Sequence, residues 1–143
     1  MKRALRFSTI ALASSALAAV HSPAQAQGGG IKFSDVAGTW EGSSMTGPKD
    51  SVFLTWVLTA TADGKGWTLK RASRDPVPVR IVAIGGDSIV WESGPYPSFL
   101  RPRQMVRTRN VAHFKGDKMT GTWEGRYASG GVARGRTEAT RKK

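Results

Sequence analysis

The sequence predicts an all-β protein, an eight-stranded antiparallel up-and-down barrel. Three observations carry that prediction. A five-residue phrase occurs twice, as Gly38-Thr39-Trp40-Glu41-Gly42 and as Gly121-Thr122-Trp123-Glu124-Gly125. In each copy a large apolar plate is flanked by glycines, which allow close backbone approach in a bent strand. Beyond residue 36 the chain reads as short alternating runs separated by turn residues, with no helical period. The turns between successive runs are tight, so neighbours in sequence are expected to be antiparallel neighbours in space. Closing such a meander removes both exposed edges. A two-sheet sandwich needs crossover connections, and only one connection here is long enough to make one.

The start of the chain is read separately. Lys2, Arg3 and Arg6 precede an apolar stretch from Phe7 to Val20, and Ala24-Gln25-Ala26 has the form of a cleavage site. Residues 1–26 therefore read as a signal peptide, which predicts an exported, periplasmic or extracellular protein. The apolar stretch is short for a bilayer span, so no transmembrane segment is expected after cleavage. Residues 27–36 read as a flexible tail and lead-in, and residues 37–143 as one barrel domain.

Eight runs follow. The first, Thr39 to Met45, ends at Thr46-Gly47-Pro48. The second, Ser51 to Ala62, ends at the hairpin signal Asp63-Gly64. The third, Gly66 to Ser73, is closed by Arg74-Asp75-Pro76. The fourth, Val77 to Ile84, turns at Gly85-Gly86. The fifth is Asp87 to Ser93, followed by the long connection Gly94 to Pro102. The sixth, Arg103 to Lys115, turns at Gly116-Asp117. The seventh, Lys118 to Ala128, turns at Ser129-Gly130-Gly131, and the eighth is Val132 to Arg141.

Alternation assigns the inner face. It comprises Val52, Leu54, Trp56, Leu58 and Ala60 on the second run, Trp67 and Leu69 on the third, and Val77, Val79, Ile81 and Ala83 on the fourth. The fifth contributes Ile89 and Trp91, and the sixth Val106, Thr108, Asn110, Ala112 and Phe114. The seventh contributes Met119, Gly121, Trp123, Gly125 and Tyr127, and the eighth Ala133, Gly135, Thr137 and Ala139. The early runs are bulky and the late ones small or polar. Such a lining either leaves a cavity or makes room for the tryptophans, since eight-stranded barrels occur both filled and ligand-holding.

Charge and composition narrow the chemistry. Beyond residue 26 the chain keeps 117 residues, all ten acids and 19 of its 22 Lys and Arg, for a net charge of +9. That balance favours anionic partners without choosing among them. There are no cysteines, and His113 is the sole histidine beyond residue 26. No metal cluster is expected, no nucleophile elbow surrounds His113, and the acids are scattered. No catalytic residue and no cofactor is assigned.

Arginines form the clearest polar pattern. Arg107 and Arg109 share one face of the sixth run, with Arg126 on the seventh and Arg134 and Arg136 on the eighth. On consecutive strands these five make one anion patch, offset in part by Glu124 and Glu138. In the register above the patch faces out, and a slip of one residue would turn it inward. The connection Gly94 to Pro102, with Tyr96, Phe99 and Leu100 between prolines, is either a lid over an open barrel end or a cap folded onto the core.

Gly38-x-Trp40 on the first strand, followed by eight antiparallel strands and a late arginine, resembles the calycin group of lipocalin-like and avidin-like barrels. The resemblance implies that Trp40 plugs one barrel end and that a basic side chain of the last strand, here Arg141, packs across it by cation–π stacking. Trp123-Glu124-Gly125-Arg126-Tyr127, with Gly130-Gly131 and Ala133-Arg134, is similar to a late hairpin of avidin-like proteins. No later tryptophan and no late aspartate follow, so biotin binding is not implied. The lipocalin disulfide and C-terminal helix are also missing. The expectation is an exported, non-enzymatic, lipocalin-like barrel for a small, partly apolar, anionic ligand. Trp56, Trp91, Asn110 and Tyr127 are expected in the cavity and Phe99 at its mouth. The rival expectation is an interaction module that uses the arginine patch on an acidic protein or a cell-envelope polyanion. An outer-membrane barrel is disfavoured, because its outer face requires an apolar band where this chain has Arg80, Arg107, Arg109, Arg134 and Arg136.

Overall fold

The computed structural model describes residues 29–143, so the signal-peptide reading lies outside the described residues. A single helical turn, α1 (Phe33–Val36), precedes eight strands. They are β1 (Gly38–Thr46), β2 (Ser51–Ala60), β3 (Thr68–Arg71), β4 (Val77–Gly85), β5 (Ser88–Pro97), β6 (Met105–Lys115), β7 (Lys118–Tyr127) and β8 (Val132–Arg141). Each strand pairs antiparallel with the next, and β8 returns to β1 to close an up-and-down barrel. Closure gives every strand a neighbour on both sides, although the short β3 pairs with β4 only at Thr68–Pro78 and Leu69–Val77 and leaves the later part of β4 unpaired on that side.

The strands run because their two faces differ. Leu58, Trp91, Ala112, Met119 and Ala139 enter one buried cluster, while Thr59, Arg109, His113, Thr120 and Glu138 at alternate positions stay exposed. From β6 to β8 the alternation holds without interruption. The third strand, β3, is shorter than the run expected from sequence, because Ala72 adopts a positive φ and the chain leaves the sheet after Arg71.

Three irregularities correct the expected inner face. Pairing jumps from Ser44–Leu54 to Met45–Val52, so Phe53 is the extra residue of a bulge. Its ring turns against Trp123, with centroids 5.2 Å apart, and Val52 is expelled to 57% exposure. On β4 the register jumps from Ile81–Trp91 to Ala83–Val90, which leaves Val82 unpaired. Ala83 is consequently exposed rather than inward. On β5, pairing with β6 breaks after Ser93 and resumes at Tyr96–Val106. The first four residues of the expected long connection, Gly94 to Pro97, are thus strand: Tyr96 is an inward core residue, and residues 98–104 bridge β5 and β6.

One barrel end is sealed. The chain is docked from Ile31 onward rather than loose: the Ile31 amide donates to the Gly86 carbonyl oxygen at 2.7 Å, and Val36 is buried. Trp40 lies beneath α1, and its indole donates to the Val36 carbonyl oxygen at 2.8 Å. The Arg141 guanidinium carbon stands 4.8 Å from the Trp40 ring centroid. Arg141 also donates to the Ala37, Asp35 and Gly116 carbonyl oxygens and pairs with Asp117 at 2.9 Å. One side chain therefore ties α1, the β6–β7 turn and the end of β8 together. Charged hydrogen bonds of this kind are worth about 1.5–3 kcal/mol each when partners are left unpaired. Arg141→Ala is expected to lower unfolding free energy in urea by about 2–3 kcal/mol.

Candidate functional site

The opposite end, under the β5–β6 loop, contains a cavity of about 50 Å³. Its apolar wall comes from Phe53, Leu54, Trp56, Leu69, Trp91 and Trp123. Polar groups come from Ser44, Tyr96, Ser98, Thr108, Asn110 and Tyr127, and Phe99 and Leu100 lie over it from the loop. The five residues expected from sequence at a ligand site, Trp56, Trp91, Asn110, Tyr127 and Phe99, all line this one space. The barrel is thus mostly filled, with a volume sufficient for a few water-sized groups. Gly42 is part of the reason: a Cβ there would collide with the Trp56 indole, so the glycine of the first repeat seats that plate inside.

The sequence reading missed Arg71, the single charged residue of the lining. It follows Trp67 and Leu69 at period two, so β3 aims it inward like its apolar predecessors. The residue is 2% exposed. Its guanidinium carbon lies 3.4 Å from the Tyr96 ring centroid and 5.6 Å from that of Phe99. Nη1 donates to the Pro97 carbonyl oxygen at 3.3 Å, while the buried Nε has no acceptor among the described residues. No carboxylate lines the cavity to neutralise it. Burial pushes the Arg71 pKa below its ordinary value, the Tyr96 hydroxyl opposes this, and Arg74 adds to it. A guanidinium nevertheless keeps its proton, so a buried positive charge stands in the barrel without a counter-charge.

A second donor is left over in the same lining. Four of the five indoles have acceptors: Trp40 on Val36, Trp56 on the Ser44 hydroxyl, Trp67 on Thr61 and Trp123 on Met45. The buried Trp91 Nε1 has none among the described residues. The hydroxyls are oriented by their neighbours. Ser98 Oγ accepts from the Leu100 and Arg101 amides, so its own proton goes to the Tyr127 oxygen at 2.8 Å. The Tyr127 proton then remains available to the cavity that it lines. The lining therefore holds two buried N–H groups without protein acceptors, Arg71 Nε and Trp91 Nε1, and no carboxylate, a polarity that suits an anion.

The loop above is latched in place. Arg74 stands over Phe99 at 4.5 Å and Arg101 over Tyr127 at 4.3 Å, and the Ser129 hydroxyl donates to Gln104 Oε1 at 3.2 Å.

Arg107, Arg109, Arg126, Arg134 and Arg136 are all exposed on the outer surface. Cross-strand register explains how they are tolerated. Arg80, Glu92, Arg109, Glu124 and Arg134 lie directly opposite one another along successive strands β4 to β8, a row of alternating sign. Glu124 bridges Arg126 at 2.8 Å and Arg134 at 2.9 Å, Glu92 pairs with Arg109 at 3.1 Å, and Asp50 pairs with Arg136 at 2.9 Å. Glu138, expected to share this duty, instead faces the groove beside β1 and forms no ion pair among the described residues. Arg107 directly opposes Arg126.

Arg134 and then Arg126 hold the Glu124 carboxyl below its ordinary value of 4.5 by hydrogen bonding. Its contribution to stability is therefore present above pH 4.5 and lost as pH falls through the lower folded value. The urea midpoint is expected to drop on acidification below that point, and Glu124→Gln is expected to flatten part of the drop.

His113 is half exposed and meets Asp87 Oδ1 at 3.0 Å and Ser88 Oγ at 2.8 Å. Both contacts fall on Nδ1. A nucleophile and its orienting acid need opposite ring nitrogens, so this trio is not set for serine activation. Among the described residues no three His, Asp or Glu side chains gather as a metal site.

Comparisons with protein-family models, with curated proteins and with solved structures found no match to this chain.

Proposed function

We propose that this protein is an exported, non-enzymatic, lipocalin-like barrel that binds a small, partly apolar, anionic ligand in the cavity beneath Phe99. The observation that carries the reading is the buried Arg71 guanidinium, unneutralised among apolar walls. Burying an ion costs several kcal/mol, a cost that a folded barrel has no structural need to bear. An anion of matching size would offset it. The resemblance of the Gly38-x-Trp40 strand to calycins supports the same reading, because that group places ligands inside the barrel.

The rival reading uses the outer arginines on an acidic protein or polyanion. Its support is Arg107, which faces Arg126 across the β6–β7 pair. The alternating row weakens it, because most of the patch already has carboxylate partners.

Native mass spectrometry of the protein purified from its own host, before and after organic extraction, tests the proposal. The expected result is a small-molecule adduct that extraction removes. A bare polypeptide that binds heparin tightly at low salt and releases it at a few hundred millimolar would favour the outer face, since exposed charge pairing is screened over about 10 Å at 0.1 M.

A further inference from the structure

We propose that the ligand is a short-chain monocarboxylate whose carboxylate is received side-on by the Nε–Nη2 edge of Arg71. This rests on the reading of the barrel interior as an anion site. Nη1 is committed to the Pro97 carbonyl oxygen, whereas Nε is buried and has no acceptor. The edge that includes Nε carries two parallel N–H groups, which match the two oxygens of a carboxylate. Tyr96 lies against the guanidinium at 3.4 Å and fixes the plane in which the ligand must approach.

Charge and volume narrow the class. Arg71 is the one ionised group of the lining, so a monoanion balances the interior and a dianion would leave a negative charge buried. About 50 Å³ leaves room for a ligand of roughly four to six non-hydrogen atoms, the range from acetate to butyrate. A carboxylate has about four lone-pair sites, so two remain for further donors such as the unpaired Trp91 Nε1. The ligand's methylene groups would meet Leu54, Leu69 and Trp56.

Isothermal titration of the folded protein with acetate, propionate, butyrate, octanoate, butyramide, methyl phosphate and inorganic phosphate tests this directly. Propionate or butyrate is expected to bind best, and butyramide about 100-fold more weakly because the charge-assisted pair is lost. Octanoate is expected to fail for size. Arg71→Lys, which replaces a fork with a point charge, should weaken butyrate at least about tenfold. Trp91→Phe, which removes the second unpaired N–H and keeps an aromatic plate, should weaken it severalfold even if the lysine variant folds poorly. Tighter binding of either phosphate than of any carboxylate, still sensitive to Arg71, would overturn the carboxylate assignment and leave the anion site standing. Absence of binding by every anion tested, or binding indifferent to both variants, would overturn both.

Discussion

Arg71→Met is expected to abolish anion binding while leaving the barrel no more than about 1 kcal/mol less stable than wild type, and stabilised if anything. Taking a guanidinium out of water costs several kcal/mol. Against this stand one charged hydrogen bond to Pro97, worth about 1.5–3 kcal/mol, and stacking on Tyr96, worth about 0.5–2 kcal/mol. These offset the cost only in part, since Nε is left without an acceptor. Methionine keeps a flexible apolar stem against Tyr96 and removes the charge. Urea unfolding with and without butyrate gives both answers. Wild type at 100 times its dissociation constant should gain about 2.7 kcal/mol, and the variant should gain nothing. A loss of about 3 kcal/mol or more without ligand would mean that Arg71 serves the fold. Residues that trade stability for binding are common at functional sites.

Gly135→Ala is expected to be the most damaging of the small substitutions, costing about 3 kcal/mol and lowering Tm on the order of 10 °C. Gly135 sits directly opposite Trp123 in the β7–β8 register. A Cβ there would collide with the Met45 carbonyl oxygen and would lie 2.6 Å from Trp123 Nε1. Those two atoms form the 2.9 Å hydrogen bond that anchors Trp123 to β1. The clash therefore strikes the strand pair that closes the barrel and one wall of the cavity together. Backbone atoms cannot rotate away as a flexible side chain can. Gly85→Ala is the matching control, because a Cβ at that position meets nothing within 4 Å. It should be neutral or slightly stabilising. Equal stability of both variants by thermal unfolding would remove the argument.

Much of this architecture was legible in the chain because burial in a closed barrel imposes a strict period of two. From β6 to β8 every inward assignment follows from that period. The Trp40–Arg141 contact was reachable because the last strand must lie beside the first. Errors arose where the period slips. Phe53 and Val82 are extra residues in bulges, and nothing in their chemistry marks them as such. Tyr96 was assigned to a loop because the prolines around it read as turn signals, although the strand resumes after its own bulge.

The candidate site was legible only in its walls. Trp56, Trp91, Asn110 and Tyr127 fall on inward positions, but Arg71 ends a strand where a charged residue normally marks the return to solvent. Its inward course depends on the Tyr96 ring and the Pro97 carbonyl, which belong to the distant β5. Continuing the Trp67–Leu69 alternation one step further was the available signal. Of the outer arginines' partners Glu124 was legible from its shared face, but Glu92 and Asp50 were not, because Glu92 reaches Arg109 through strand register and Asp50 reaches Arg136 from the β1–β2 turn.

The central claim is that an anion enters the barrel beside Arg71, and an indole and guanidinium ¹H–¹⁵N spectrum titrated with butyrate tests it most directly. Four indoles already donate to protein oxygens, and Trp91 does not. The account predicts saturable movement of the Trp91 Nε1 and Arg71 Nε signals, little change in the Trp40 and Trp67 indoles, and no saturable response in Arg71→Met. Stationary Trp91 and Arg71 signals, with shifts confined to exposed arginines such as Arg107 and Arg126, would contradict it.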